Sequence, residues 1–491
     1  MADLMPELLD ADGACQLLVN GEWRGARGGT LEARSPIDGS LVGRTAAADA
    51  QDVEEVVNAG AEAWPAWQEA GYSRRADVLH AAAECMREER ERLVHLLTEE
   101  IAKTRGSAEE EVDRTADLID YFAEEGRRFY GEIIFADSFP GQPRTKVCQV
   151  YSEPLGVVLA ISPFNYPLNL SASKIAPALI TGNAVVFKPA ARGAIAALHM
   201  CECFRRGGAP PGVLNAITGK ASVIGDALCG HPKVDMVSFT GSTAVGRHIA
   251  HVAGMKAMLT ELGGKDAALV LEDADLDLAA EQIVKGAFSY SGQRCTAVKR
   301  VVAVEAVADR LAAGIVERAR RLQPGDPRQP VTALGPLIDD RAADFVQELI
   351  DDALEKGASA LCGNRREGRY LEATVLDGVT EEMRVAWEEP FGPVLPMLRV
   401  AGLEEAIALA NRSEYGLQSC VFTRDLDRAF YVGRRLDVGT VNVNGRDSRG
   451  PDHFPFVGRK ASGMGTQGVH YSIEAMTRTK SIVLNLRLPQ D

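Results

Sequence analysis

Cys295 is the candidate nucleophile of this chain. It lies in Phe288-Ser-Tyr-Ser-Gly-Gln-Arg-Cys-Thr-Ala-Val-Lys-Arg300, where an apolar-periodic segment (Glu281 to Tyr290) reads as a helix and runs into Ser291-Gly292, and where Val301-Val-Ala-Val304 reads as a strand. The thiol therefore falls at a break between elements, with Arg294 beside it and Lys299 and Arg300 further on. Positive neighbours lower a cysteine's pKa, and the thiolate is the attacking form. The competing reading is a buried structural cysteine, because free cysteines are among the most buried residues.

Other residues supply company. Met258-Leu-Thr-Glu-Leu-Gly-Gly264 is an apolar strand interrupted by one carboxylate, Glu261, and such a residue is usually paired or functional. Asn165, Lys188 and Ser242 each follow the end of a predicted strand, where ligands of parallel sheets bind. Thr240-Gly-Ser-Thr-Ala-Val-Gly246 places small residues and free backbone N–H groups, including those of Gly241, at a helix start that suits a pyrophosphate or an ordinary cap. The one G-x-G-x-x-G match, Gly463 to Gly468, follows a polar, turn-like stretch and is rejected as a dinucleotide fingerprint. Trp387-Glu-Glu-Pro-Phe-Gly-Pro-Val394 reads as a rigid loop. Arg114 sits off the apolar stripe of helix 107–126 (Val112, Ala116, Ile119, Ala123), so its pattern alone gives a solvated charge.

The elements that must hold these residues are legible in outline. Residues 51–128 are helical by period. Thr145 to Ser152 alternates as a half-exposed strand. From Gly156 to Gly246 buried strands alternate with helices, and a second such series runs from Leu269 to about Asn444. That rhythm implies parallel sheets with helices on both faces. The tail from Thr477 to Leu488 alternates again and is expected to pair with an edge strand, in this chain or another subunit.

The totals narrow the function classes. With 491 residues, two or three domains are expected, and 46% hydrophobic with 25% charged residues is globular composition. A net charge of −15 argues against nucleic acid or an anionic membrane as partner. No apolar run reaches the ~18 residues of a membrane span, and the acidic N-terminus is unlike a signal peptide. Nine scattered cysteines, an odd number without zinc spacing, fit a reducing cytoplasm and no metal site.

Six motifs then stand in order: Ser162-Pro-Phe-Asn-Tyr-Pro, Val186-Phe-Lys-Pro, Phe239-Thr-Gly-Ser-Thr, Leu259-Thr-Glu-Leu-Gly-Gly-Lys265, Gly292-Gln-Arg-Cys and Glu389-Pro-Phe-Gly-Pro. Together they resemble the aldehyde dehydrogenase superfamily. Gly292-Gln-Arg-Cys-Thr-Ala-Val-Lys-Arg, Arg449-Gly-Pro-Asp-His-Phe-Pro-Phe456 and Val469-His-Tyr-Ser-Ile-Glu-Ala-Met476 look like its non-phosphorylating, NADP-dependent glyceraldehyde-3-phosphate dehydrogenases. The resemblance implies an α/β fold of two doubly wound parallel-sheet domains plus a small β arm. Residues 1–138 and 151–265 would form the Rossmann-like coenzyme-binding domain, 266–460 the catalytic domain, and 139–150 with 477–491 the oligomerisation strands of a homotetramer or homodimer. It implies Cys295 as nucleophile, Asn165 as oxyanion donor and Glu261 as the base that hydrolyses a thioester. Lys188, Ser242, Gly241, Glu389, Phe391, Ile161, Pro163 and Arg192 would bind NADP, with NAD as the second option. Arg114, Tyr166, Arg294 and Arg449 would hold the phosphate of glyceraldehyde 3-phosphate. At the position where NAD-preferring relatives often carry a ribose-binding glutamate this chain has Ala191, followed by Arg192. The alternatives are oxidation of succinate semialdehyde, lactaldehyde or sulfolactaldehyde, acyl transfer to coenzyme A, and a catalytically silent binding protein.

Overall fold

The computed structural model describes residues 4–487. Its first sheet has eight strands, in the order Gly463–Met464, Ala257–Glu261, Met236–Thr240, Val157–Ile161, Ala184–Lys188, Leu214–Ala216, Leu17–Val19 and Glu22–Arg24. The five strands from Ala257–Glu261 to Leu214–Ala216 run parallel. Along a strand successive side chains face opposite sides. Val158 and Ala160 accordingly join one apolar cluster, while Val157, Leu159 and Ile161 join another. The Asn169–Thr181 helix covers the first face with Ala172, Ile175 and Leu179. The Ala50–Glu69 helix covers the second with Val53, Val56 and Val57, its start capped by Asp49 and Asp52 in a reciprocal box. Both faces being buried explains why these strands read as unbroken apolar runs.

The second sheet has seven strands, ordered Ser359–Cys362, Thr374–Asp377, Val394–Val400, Arg300–Val304, Ala267–Val270, Gln418–Phe422 and Thr440–Val443, all parallel except the first. It has its own apolar core, to which the helices Leu276–Phe288, Glu305–Ala319 and Asp340–Glu355 contribute.

Glu132–Phe135, Lys146–Pro154 and Thr477–Asn485 form a third, antiparallel sheet. The alternating tail thus pairs with a strand of its own chain; residues 488–491 of the predicted segment lie outside the described residues. This sheet also takes in Glu132–Phe135, which the expected boundary at residue 138 assigns to the first domain. Gly463–Met464, inside the rejected glycine motif, is an edge strand beside Thr260 and Glu261 and not a phosphate loop.

The register of the first sheet builds the site. Ile161 is paired with Lys188 and Thr240 with Glu261, each at or beside the carboxyl end of its strand. The second domain brings the Cys295 segment, immediately before the Arg300–Val304 strand, against that edge.

Candidate active site

Two cavities meet at Cys295. The larger, about 1090 Å³, is lined by the strand ends and loops that hold Ile161, Pro163, Asn165 and Lys188. Gly241, Ser242, Glu389 and Phe391 complete it. The smaller, about 510 Å³, is lined by Arg114, Tyr166, Arg294 and Arg449, and also by Arg446, Thr296 and Asn169. Every residue expected at the site lines one cavity or the other except Glu261, which is buried behind Cys295 and reaches it by hydrogen bond, and Arg192. Its guanidinium donates instead to the Arg34 carbonyl at 2.7 Å, although its neighbour Ala191 lines the larger cavity.

The thiol donates a hydrogen bond to Glu261 Oε1 at 3.0 Å, and Arg449 Nη1 donates to Glu261 Oε2 at 2.6 Å. Burial, then the charge of Glu261 and its hydrogen bond, push the Cys295 thiol well above the ordinary cysteine value; Lys299 and Arg449 pull the other way and lose. This corrects the expectation that neighbouring cations activate the thiol. Arg294 points to the Gly286 carbonyl, and Arg300 to the carbonyls of Ala386 and Ala410. Lys299 donates to the backbone carbonyl of Cys295 and pairs with Glu389 at 3.0 Å. Cys295 thus rests as a thiol with a carboxylate against it, and Glu261 is placed to take its proton.

The remaining polar groups are held firmly. Asn165 Nδ2 donates to the Gln293 carbonyl at 3.0 Å, which fixes the amide beside the nucleophile's loop. Glu389 accepts from the Gly264 amide at 3.1 Å. Ser242 caps the Thr243–Ala253 helix, and Gly241 donates its N–H to the Glu261 carbonyl at 3.1 Å. Phe391 stands edge-on to Phe164, centroids 5.9 Å apart. Tyr166 lies under the buried ammonium of Lys103, which is 3.5 Å from the ring centroid and ion-paired with buried Glu111. Glu111 in turn accepts from the amides of Leu168 and Asn169, so one carboxylate fixes both Lys103 and the start of the following helix. Arg114 is ion-paired with Asp452 and donates to the Arg449 carbonyl.

Two cavity-region residues were not singled out from the sequence, and Lys299 was named only as a cation near Cys295. Lys174 sits in a helix that is buried on every side and donates to Thr240 Oγ1 at 2.6 Å; burial lowers its pKa to about 7, against the pull of Glu261. A lysine in a predicted helix between two buried strands is the signal that was available. Arg446 gave none beyond being a cation three residues before Arg449. Among the described residues no group of three His, Cys, Asp or Glu side chains is placed to hold a metal ion, and no helix is long and apolar enough to cross a membrane.

Residues 23–482 match the model of the aldehyde dehydrogenase family. The chain is 49% identical to the NADP-dependent glyceraldehyde-3-phosphate dehydrogenase of Streptococcus equinus, over 95% of this chain and 98% of that one. It is 37% identical to the succinate-semialdehyde dehydrogenase [NADP(+)] of Escherichia coli strain K12, over 96% of this chain and 98% of that one. The crystal structure of the NADP-dependent glyceraldehyde-3-phosphate dehydrogenase of Bacillus halodurans C-125, complexed with NADP, superposes with a TM-score of 0.95 at 49% identity and covers 96% of this chain and all of that one. A thiol and a carboxylate in contact where two cavities meet, on two parallel-sheet domains matched over nearly their whole length, make the chain a member of the aldehyde dehydrogenase family.

Proposed function

We propose that this enzyme oxidises glyceraldehyde 3-phosphate irreversibly to 3-phosphoglycerate with NADP, through a Cys295 thioester that water hydrolyses. The observation that carries this reading is the arginine-lined cavity opening onto the same thiol as the larger cavity. Planar guanidinium groups suit a phosphate dianion, whose oxygens they can bond in pairs.

The larger cavity suits a dinucleotide: a helix start at Ser242 for its phosphates, the Lys188 ammonium, and the Glu389 carboxylate for ribose hydroxyls. NADP, when bound there, supplies the hydride acceptor. The chain's own residues do the rest. Cys295 Sγ attacks the aldehyde carbon while its proton passes to Glu261 Oε1, 3.0 Å away. The oxyanion is met by the Asn165 amide and the Cys295 N–H, a type of contact worth ~3 kcal/mol in the barrier. Once it has passed the thiol proton to solvent, Glu261 activates water against the thioester carbonyl, and the acyl carbon–sulfur bond breaks to return Cys295. Hydrolysis at this step, with no phosphate or coenzyme A as acceptor, is what makes the overall reaction irreversible.

Succinate semialdehyde is the second reading, favoured by the Escherichia coli relative and by the same cationic cavity, which also suits a carboxylate. NADPH formation from glyceraldehyde 3-phosphate in phosphate-free buffer tests the first. A wild-type preference for succinate semialdehyde, or for uncharged aldehydes, hands the assignment on.

We place the enzyme in the cytoplasm, in keeping with nine free cysteines, and assign its assembly to the three-stranded sheet. Ile133, Ile134, Phe135, Ile482, Val483 and Leu484 are exposed on that sheet, a concentration of apolar surface that a second copy would cover. Sedimentation of a Val483→Asp variant checks this: an assembly unchanged from wild type removes the sheet from the interface.

A further inference from the structure

We propose that Arg446, on the loop after the Thr440–Val443 strand, is a specificity-determining contact for the anionic far end of the substrate, acting together with Arg294. This deepens the phosphorylated-aldehyde reading and rests on it.

The cavity's other guanidinium groups are already engaged. Arg114 is ion-paired with Asp452 and bonded to the Arg449 carbonyl. Arg449 is ion-paired with Glu261. Both carry compensated charges before any substrate arrives, and an arriving anion has to share them. Arg294 has no ion pair; one Nη donates to the Gly286 carbonyl, and its buried Nε has no acceptor. Arg446 has neither a hydrogen bond nor an ion pair to any described protein group, although it is half-buried on the cavity wall.

The two uncompensated arginines stand together. A Cβ placed on Gly286 would lie 3.3 Å from Arg446 Cβ, so the stem of Arg446 packs on the residue whose carbonyl receives Arg294. Arg446 feels Arg294: burial and then the charge of Arg294 hold the Arg446 guanidinium below its ordinary value, with Glu110 and Tyr166 opposing. Two like charges at a half-buried position, with Glu110 the one carboxylate on the cavity wall, are costly unless an anion joins them. A phosphate dianion supplies the missing partner and can accept from both guanidinium groups at once. Arg446 also reaches the cavity from the same loop as Arg449, three residues earlier.

The test compares glyceraldehyde 3-phosphate with uncharged glyceraldehyde in phosphate-free buffer at saturating NADP. In Arg446→Ala the ratio of kcat/KM values, phosphorylated over plain, is expected to fall about ten- to hundredfold, carried by KM for the phosphorylated substrate, as for a lost charge-assisted contact. Arg446→Lys, which keeps the charge, recovers part of that loss. Should the alanine variant not fold, Arg446→Gln removes the charge while keeping most of the stem. A ratio within twofold of wild type in the alanine or glutamine variant overturns the inference, and so does a lysine variant no better than alanine. Equal losses on both substrates overturn it as well, since they mean Arg446 only props the Leu276–Phe288 helix. Failure of the underlying reading looks different: the wild type itself shows no preference for the phosphorylated aldehyde.

Discussion

Arg449 and Cys295 share one carboxylate: Arg449 Nη1 lies 2.6 Å from Glu261 Oε2, and the Cys295 thiol 3.0 Å from Glu261 Oε1. An arginine of the smaller cavity is thereby tied to the proposed general base and, through it, to the Cys295 thiol. Glu261 is almost fully buried, and removing one partner of a buried ion pair leaves the other charge uncompensated. Arg449→Ala is therefore expected to lower kcat on glyceraldehyde and on glyceraldehyde 3-phosphate alike, by roughly ten- to hundredfold or about 1.4–3 kcal/mol, with a further rise in KM for the phosphorylated substrate. Steady-state kinetics on both aldehydes decides it. A loss confined to the phosphorylated substrate would show that Glu261 works without Arg449.

Glu261→Gln separates the two tasks given to this carboxylate. The amide no longer accepts a proton from the thiol or from water, yet the cysteine remains beside the coenzyme cavity. Rapid mixing should show a slow burst of about one NADPH per active site followed by poor turnover. Turnover near the wild-type rate would remove Glu261 from deacylation, and Cys295→Ala should show no burst.

How far the sequence could be read follows from how local each signal is. Strand and helix periods along Val157–Ile161, Arg105–Gly126 and Lys146–Pro154 are carried by the segments themselves, so those elements were legible to within a few residues. Glu261 was legible too, because a carboxylate in an apolar strand is anomalous on its own. Partners are not local. The proton acceptor of Cys295 is 34 residues away, the oxygen held by Lys174 is 66 away, and Arg114 meets the Arg449 carbonyl across 335. The sequence neighbours of Cys295 were cations, yet the fold turns Arg294 and Arg300 to backbone carbonyls and brings a carboxylate to the sulfur. Direction out of a loop has no period, which is why Arg446 was missed and Arg192 was expected in the coenzyme cavity.

Lys174 makes stability depend on pH. Burial is the main reason its pKa falls to about 7; Glu261 opposes it, and Arg449 adds to it. In the unfolded chain a lysine titrates near ~10.4. Below about pH 7 both states carry the proton, and the cost of burying the charge is fully present. From there to ~10.4 the unfolded state binds the extra proton, so stability rises with pH, by at most ~1.4 kcal/mol per unit. The unfolding free energy of wild type minus that of Lys174→Met should therefore grow between pH 7 and pH 9 in urea titrations. A constant difference would mean Lys174 keeps its proton throughout that range.

Coenzyme choice turns on which groups surround the adenosine end of the larger cavity. Lys188, Lys220 and Ala191 line it, while the Arg192 guanidinium is spent on the Arg34 carbonyl at 2.7 Å. On the proposed reading the cation that attracts a 2′-phosphate is then a lysine, and the absence of a carboxylate at Ala191 removes what would repel it. Lys188→Ala is expected to raise KM for NADP more than tenfold, and Arg192→Ala less than threefold. Ala191→Glu puts a carboxylate on the cavity wall, where it repels the phosphate and accepts from the ribose hydroxyls of NAD. The ratio of kcat/KM for NADP over NAD should fall by roughly thirtyfold, or about 2 kcal/mol. An unchanged ratio would show that Ala191 does not face the phosphate. An Arg192→Ala variant as impaired as Lys188→Ala would show that the guanidinium leaves Arg34 when the coenzyme arrives, because only then could it contribute to binding.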